Sequence, residues 1–551
     1  MKLKLTLCLL AAITLATQLQ AQTFQWAKSG GNIDENFSPS SVIDKSGNTW
    51  STVNYSGNYN LSGFEFTSAG GQDFIISRFN KNGNCVFAVN CGGSGTEAAL
   101  SVEIDQAGSA LIIVGTFTGT TNILGEVLVS NGIGDAFVAS MAFDGTLNWI
   151  KQLGGLQQDV YEDVAVDRFG YIYVTGYVES DITFAGSTWL GDGWPAIIVS
   201  KYSPTGVEMW LRKGDGIDGS DWSMFGKIEV DNDQNVYYGG IFYGQLNLGA
   251  FTMLGGNPHM FFAKLNTSGV PVWAKDLGDS GGAFYWDMDI DRSGNIYVGG
   301  QFGYEMTFGG VTLNTPEVFG NNGFLARVNG TDGSFGWIKQ VLCDGNSQIH
   351  GVKVIHKNLV VAVGEYQNSA SYDDLLLYND ALPEYDGMLI KANTATGAGV
   401  QTFAFNSDAY MTAQQVGFDK VGDIYITGGY KSTLSLEGTE PLTSLGGYDV
   451  LFLKISGLLP REVNEETNEL EVISDISIYP NPAVESITIS FQNSITNNDY
   501  IKIVDILGNE VLVKDLEGIE ETEINIDISS LAPGIYFATT REWSTRFLKV
   551  N

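Results

Sequence analysis

Residues 164–176 read VAVDRFGYIYVTG: a short apolar run, Asp167, a turn carrying Gly170, a second run rich in β-branched and aromatic residues, and a closing Gly176. An Asp just ahead of a glycine marks a tight turn, because the carboxylate accepts backbone N–H groups and glycine tolerates positive φ. Two such runs around such a turn make a hairpin of half-buried strands. The unit recurs as SVIDKSGNTWSTV from Ser41, VEIDQAGSALIIVG from Val102, IEVDNDQNVYYGG from Ile228, MDIDRSGNIYVGG from Met288 and VGFDKVGDIYITGG from Val416. A degraded copy, VKVIHKNLVVAVG from Val352, the sixth in chain order, has lost the Asp and the Gly of its turn. The marker positions 44, 105, 167, 231, 291, 356 and 419 lie 60 to 65 residues apart. A near-constant period of this length is the signature of a repeat architecture.

Each copy has a second half of strand, Gly-containing turn and strand, as in GDAFVASMAFDGTLNWI and PHMFFAKLNTSGVPVWA. One repeat therefore holds four short antiparallel strands, numbered one to four in chain order. Four-stranded units repeated radially make a propeller. A parallel β-helix, the main rival, does not need two tight hairpins per unit. The seventh copy ends at YDVLFLKISG, residues 448–457, with no strand four after it. The segment TFQWAKSGG, residues 23–31, matches strand four of other copies, such as LNWIKQLGG at 147–155. Strand-four segments then begin near residues 24, 85, 147, 207, 270, 335 and 400. The expected fold is all-β: a seven-bladed propeller closed by pairing residues 24–29 with 449–455, which removes two exposed sheet edges.

The recurring side chains have structural work. Asp44, Asp105, Asp167, Asp231, Asp291 and Asp419 precede turns, and Gly47, Gly108, Gly170, Gly294 and Gly422 sit in them. Trp50, Tyr173, Tyr237, Tyr297 and Tyr425 share one place in strand two; Trp26, Trp149, Trp210, Trp273 and Trp337 share one in strand four. Rings recurring once per blade read as blade-to-blade packing.

The 551 residues carry 63 Asp and Glu against 29 Lys and Arg, a formal net charge of −34, which excludes nucleic-acid binding by bulk electrostatics. With 44% hydrophobic residues the chain is not an acidic disordered one. Residues 1–21 read as a secretory leader: Lys2 and Lys4, an apolar run from Leu5 to Ala16, and a cleavage site after Ala21. Cys8 lies inside that run behind the large Leu7, so it is not read as a lipidated cysteine. No later stretch reaches the ~18 apolar residues of a membrane span. Cys85, Cys91 and Cys343 remain, an odd number, and the first two sit on one strand about 20 Å apart, so they read as buried small hydrophobes.

Function is expected where the copies differ. GDGIDGSDW places Asp215, Asp218 and Asp221 in a loop between blades, and YWDMDID places Asp287, Asp289 and Asp291 on one face of a strand. Such carboxylates are candidate calcium ligands, although the full calcium loop with its terminal Glu is missing and a solvated acidic loop is the plainer reading. No catalytic set and no other cofactor are read from the sequence. His259, His350 and His356 form no ligand motif, and there is no GxSxG, phosphate loop or dinucleotide fingerprint. Trp189, Trp194, Trp222 and Trp286 lie in variable Gly-rich stretches, where rings either pack at blade edges or meet a sugar or protein partner.

Beyond Gly457 the pattern changes. Residues 458–473 are an acidic linker, and 474–551 are alternating strands joined by Pro, Asn and Gly turns, expected to form a small Ig-like β-sandwich. Tyr479, Pro480, Asn481 and Pro482, then Asp505 and Gly508 within VDILGNEV, then Gly534 and Tyr536 within LAPGIY, and Lys549 in the terminal FLKV give this region its character. It resembles the type A sorting domain of the type IX secretion system. The resemblance implies export across the outer membrane of a Bacteroidetes-type bacterium, with the Sec machinery and the type IX apparatus as partners, and release or surface attachment afterwards. Residues 22–457 resemble the SBBP-type seven-bladed repeat family through DxxGNxYVxG and the following Phe-rich strand. Neither resemblance assigns a ligand. The expected function is non-catalytic binding or adhesion to a glycan or another surface protein. The alternatives are a glycoside hydrolase or lyase with carboxylates between blades, and a structural envelope protein.

Overall fold

The computed structural model describes residues 23–31, 37–105, 109–216, 221–279, 283–315, 320–356, 358–378, 385–405, 410–436, 438–456, 477–480, 483–490, 500–505, 510–515, 523–539 and 544–550. The leader 1–21, the linker 458–473, Gly108, Asp218, Asn481, Pro482 and Gly508 lie outside them. Every regular element among the described residues is a strand.

The described strands between residues 23 and 456 group by their pairing into seven antiparallel four-stranded units, some of them linked into larger sheets by added hairpins; each unit is called a sheet below. The first consists of Phe37–Ile43, Thr49–Leu61, Phe64–Phe79 and Cys85–Gly93, paired in that order. In the next five sheets strand one is Glu97–Ile104, Asp159–Val166, Trp222–Val230, Phe284–Ile290 and Ser347–His356. The seventh takes Met411–Phe418, Ile424–Tyr430 and Asp449–Ser456 from one end of the repeat region and Thr23–Gly31 from the other. Phe24 pairs with Ile455 and Ser29 with Leu451, the register expected from the unpaired seventh copy. Each strand one packs against the strand one of the next sheet, and the seventh packs against the first, so the seven line a central channel. At that seam Ser41 Oγ and Thr427 Oγ1 are 2.9 Å apart.

The repeated residues hold each sheet and lock it to the next. Asp44 Oδ1 accepts the amides of Ser46 at 2.8 Å and Asn48 at 2.9 Å, and Gly47 sits at φ +77°. Tyr173, Tyr237, Tyr297 and Tyr425 donate their hydroxyls to Asp167, Asp231, Asp291 and Asp419 at 2.9–3.2 Å. Where the fourth sheet lacks the turn glycine, Gln234 takes φ +62° instead. The strand-four tryptophans reach across to the following sheet. The indole N–H groups of Trp26, Trp149, Trp273 and Trp337 donate to carbonyls of Lys81, Pro204, Gly330 and Thr394 at 2.9–3.1 Å. Their faces lie on Gly83, Gly206, Gly333 and Gly397, left-handed turn residues where a Cβ would fall 2.5–2.7 Å from the ring. Bulky rings and absent side chains are thus two halves of one joint, which explains why both recur.

A small hairpin between strands two and three is the element the repeat pattern did not reveal. In the second sheet it is Thr120–Ile123 with Glu126–Val129, turning through Leu124 at φ +53° and Gly125 at φ +92°. It pairs back to the preceding outer strand, Gly92 with Asn122 and Gly93 with Thr121. Gly30 with Leu61 and Val341 with Tyr372 make the same kind of contact elsewhere.

In the C-terminal region Ser477–Tyr479, Ser486–Ser490 and Glu523–Asp527 form one sheet, and Tyr500–Asp505, Glu510–Asp515, Gly534–Thr539 and Ser544–Lys549 a second. Ile487, Ile489, Ile524 and Ile526 of the first sheet pack with Ile501, Ile503, Ala538 and Phe547 of the second. Of the sorting-motif residues, Tyr536 and Lys549 are buried and Tyr479 is exposed.

Candidate functional site at the channel mouth

Every strand one carries an irregularity at the same height. Its pairing with strand two skips Leu100, Glu162, Phe225 with Gly226, Trp286, His350 and Gln414 in sheets two to seven, and Ser38 with Pro39 in the first. A bulge inserts a residue without a partner and re-aims its side chain. Repeated around a ring, the bulges carry an extra set of side chains to one mouth of the channel.

Beyond the bulges, side chains cross between sheets. Asp163 Oδ2 accepts the Ile228 amide at 3.0 Å and Glu162 Oε2 that of Gly226 at 2.6 Å. Asp287 and Asp289 accept the amides of Val352 and Val354 at 2.8 and 2.6 Å. The channel here holds a cavity of about 260 Å³ whose lining includes Glu103, Asp163, Lys227, Glu229, Asp287 and Lys353. Burial pushes the Glu162 and Asp287 carboxyls up to about 7, against the pull of those amides and of Lys227. Burial also raises Glu229 well above the usual carboxylate range, against the attraction of Lys353. Burial alone would lower Lys353, but Asp289, Glu229 and Glu103 outweigh it and keep the ammonium charged.

Above this polar channel lies an arc of rings. Phe225 packs edge-on to Phe284 at 5.8 Å, Phe284 stacks on Trp286 at 6.2 Å, and Trp286 lies 5.8 Å from the His350 ring. Phe225 is 41% exposed and Trp286 38%. Phe225 sits at φ +60°, an outlier for a bulky side chain. The Tyr285 hydroxyl donates to its carbonyl at 3.0 Å. The arc continues through His350 Nε2, 3.8 Å from Glu365 Oε1, to Tyr410, whose hydroxyl donates to Glu365 Oε2 at 2.7 Å. Tyr410 in turn packs against Tyr385 and Tyr448 at 5.4 and 4.7 Å.

The structure separates the acidic residues singled out in the sequence. Asp287 and Asp289 do share a face, but they staple the fifth sheet to the sixth, and Lys353 pairs with Asp289 at 3.0 Å. Asp215 pairs with Lys213 at 2.6 Å in the connection between the third and fourth sheets, where Asp221 is buried. Among the described residues no three His, Cys, Asp or Glu side chains gather as a metal-binding set. Trp189 is half-buried against the apolar cluster that includes Ile182, Phe184 and Tyr202, and Trp222 stacks on Tyr243 at 6.2 Å. His259 pairs with Asp276 at 2.9 Å. Cys85, Cys91 and Cys343 are unpaired. Sequence reasoning picked out Trp286, set His350 aside as part of no ligand motif, and missed Phe225 and Phe284. A break in strand alternation at 225–226, 286 and 350 was the available signal.

Residues 477–549 match the family described as secretion system C-terminal sorting domain, and residues 148–178 match the beta-propeller repeat. Regulatory protein FlaEY of Caulobacter vibrioides is 26% identical over 287 residues, 47% of this chain and 29% of that protein's length. Quinohemoprotein alcohol dehydrogenase from Comamonas testosteroni is 11% identical with a TM-score of 0.36, covering 80% of this chain and 77% of that one. The Dos1 propeller is 9% identical with a TM-score of 0.37, covering 78% and 94%. Likeness at these levels carries no information about a ligand or a reaction. The tail directs the chain through the type IX apparatus to the outer cell surface or beyond, and the repeat region has a β-propeller fold. No helix among the described residues is long and apolar enough to cross a membrane.

Proposed function

We propose that this secreted propeller is a non-catalytic binding or adhesion protein whose partner, a glycan or another surface protein, docks on the arc of Phe225, Phe284, Trp286 and His350. The chain would divide into a leader (1–21), the binding propeller (22–457), a linker (458–473) and the sorting domain (474–551). The observation that carries the reading is Phe225. A left-handed phenylalanine costs about 1–2 kcal/mol, and backbone strain of this kind concentrates at ligand clamps. Here the strain holds a ring partly in water, where burial returns little, in line with a second exposed ring, Trp286. Aromatic faces of this sort stack on sugar rings or anchor protein partners.

A specific observation favours one other reading. Glu162 and Asp287 come from different sheets, both with carboxyls near 7, as a general acid requires. Both are engaged by backbone amides of neighbouring strands, which suits a joint better than proton transfer. An array of bacterial surface glycans probed with the purified chain, with product analysis on every hit, tests both. Binding without turnover supports the proposal. Turnover of a bound glycan would make the chain an enzyme, and absence of any glycan or cell-surface binding would leave a structural role.

A further inference from the structure

We propose that the corner between the first and second sheets is a calcium site built from Asp73, Glu97 and Thr121. The outer strand Cys85–Gly93 ends in two glycines, and three side chains converge on them. A Cβ on Gly92 would fall 2.1 Å from Asp73 Cγ, so the carboxylate occupies the space glycine leaves. The Gly93 amide donates to Glu97 Oε2 at 3.0 Å. Gly93 also pairs with Thr121, and a Cβ on it would lie 2.6 Å from Thr121 Cα. Asp73 and Glu97 are fully buried and Thr121 is 1% exposed. Asp73 Oδ2 accepts Asn90 Nδ2 at 3.0 Å and the Ala69 amide at 3.2 Å. Asp73 Oδ1 has no hydrogen-bond partner, and Glu97 Oε1 and Thr121 Oγ1 have none of good geometry. Burial, with Asp73 beside it, raises the Glu97 carboxyl to about 7 against the pull of the Gly93 amide and the Thr121 hydroxyl. Among the described residues no Lys, Arg or His forms an ion pair with either carboxylate.

The next corner shows what a closed version looks like. A Cβ on Gly154 would meet Asp135 Cγ at 2.3 Å, and the Gly155 amide donates to Asp159 Oδ2 at 2.7 Å, the same arrangement one sheet on. There Asn131 and Gln152 donate side-chain amides to Asp135 at 2.8 and 2.6 Å, and the Glu179 amide reaches Asp159 Oδ1 at 3.2 Å. Both carboxylates at that corner are tied down. Asn90 takes the place of Gln152 at the first corner, but Ala69 stands where Asn131 would, and the amide that closes the second corner is missing. Two adjacent buried carboxylates with no cationic side chain are strongly unfavourable as a pair of charges, so the corner holds either a proton on Glu97 or a cation. Two carboxylates and a hydroxyl are a hard, all-oxygen set of charge −2, matching calcium, with corner carbonyls and water completing its six to eight ligands. An exported protein meets calcium outside the cell.

The test is calorimetric titration of the EDTA-stripped full chain with CaCl2, with the melting temperature read at each concentration. One calcium per chain and a rise in melting temperature are expected. Glu97→Gln should remove both. Ala69→Asn, which supplies the amide found at the second corner, should weaken calcium binding at least tenfold and leave a fold insensitive to EDTA. If Glu97→Gln fails to fold, Ala69→Asn still decides. No calcium uptake by the wild type, or the same affinity in Ala69→Asn, would overturn the site and favour a proton or a buried water in its place.

Discussion

Replacing Trp26 by Ala tests how the ring is closed. Trp26 sits on the strand from one end of the repeat region that completes a sheet from the other, so its contacts are all between distant parts of the chain. The ring is 8% exposed, lies on Gly83 of the first sheet, meets Tyr425 edge-on at 6.2 Å and donates to the Lys81 carbonyl at 3.0 Å. Removing a buried tryptophan costs about 3–5 kcal/mol. The cavity cannot collapse, because Gly83 has no side chain to move into it, so the upper half of that range is expected. Urea unfolding of the full chain, compared with Trp149→Ala at an internal joint, measures it. Hydrogen exchange at residues 450–455 should accelerate in Trp26→Ala and not in Trp149→Ala, since those amides pair with the closing strand. A loss below about 1 kcal/mol, or unchanged exchange, would refute the claim that this joint closes the ring.

At the sixth sheet Gly397→Ala places a Cβ 2.5 Å from Trp337 at φ +71°; strain and overpacking together should lower stability by about 2–4 kcal/mol in urea melts. Glu162 has a folded pKa of about 7, above its unfolded value, so its carboxylate weakens the fold at pH 8 and this penalty vanishes as pH falls toward 4. Glu162→Gln should therefore be more stable than wild type by about 1–3 kcal/mol at pH 8, with the gap closing by pH 5; a pH-independent gap would contradict the burial argument. Deleting residues 474–551 should leave the propeller folded in the periplasm, and unchanged surface or medium levels by fractionation and immunoblot would count against the tail as the export address.

The parts legible in the sequence are those in which one local rule repeats. Asp167, Gly170 and Tyr173 sit within one hairpin, so turn chemistry and ring placement can be read without knowing the neighbours. The unmatched strand three at 448–457 and unmatched strand four at 23–31 carry the closure by simple counting. What was hidden depends on parity or on partners far away. A bulge changes no composition, so Phe225 reads as another strand aromatic although the bulge at 225–226 re-aims its side chain to the channel mouth. The added hairpins turn through Ser62, Leu124, Ala185 and Asp373 at φ +48° to +53°, none of them an Asn-Gly or Gly-Gly signal. The Gly-Gly ends of strand four are visible in sequence, but the carboxylates they cradle come from another strand and another sheet.

The channel-mouth rings are proposed to bind and not merely to pack. Phe225→Gly addresses this most directly, because glycine takes φ +60° without strain while the exposed ring is lost. The measurement is the binding isotherm of this variant for the strongest glycan-array hit, with its melting temperature alongside. The expected result is a melting temperature equal to or above wild type and an affinity at least tenfold weaker. Unchanged affinity, or a collapse of stability, would show that Phe225 serves the fold and that the partner docks elsewhere.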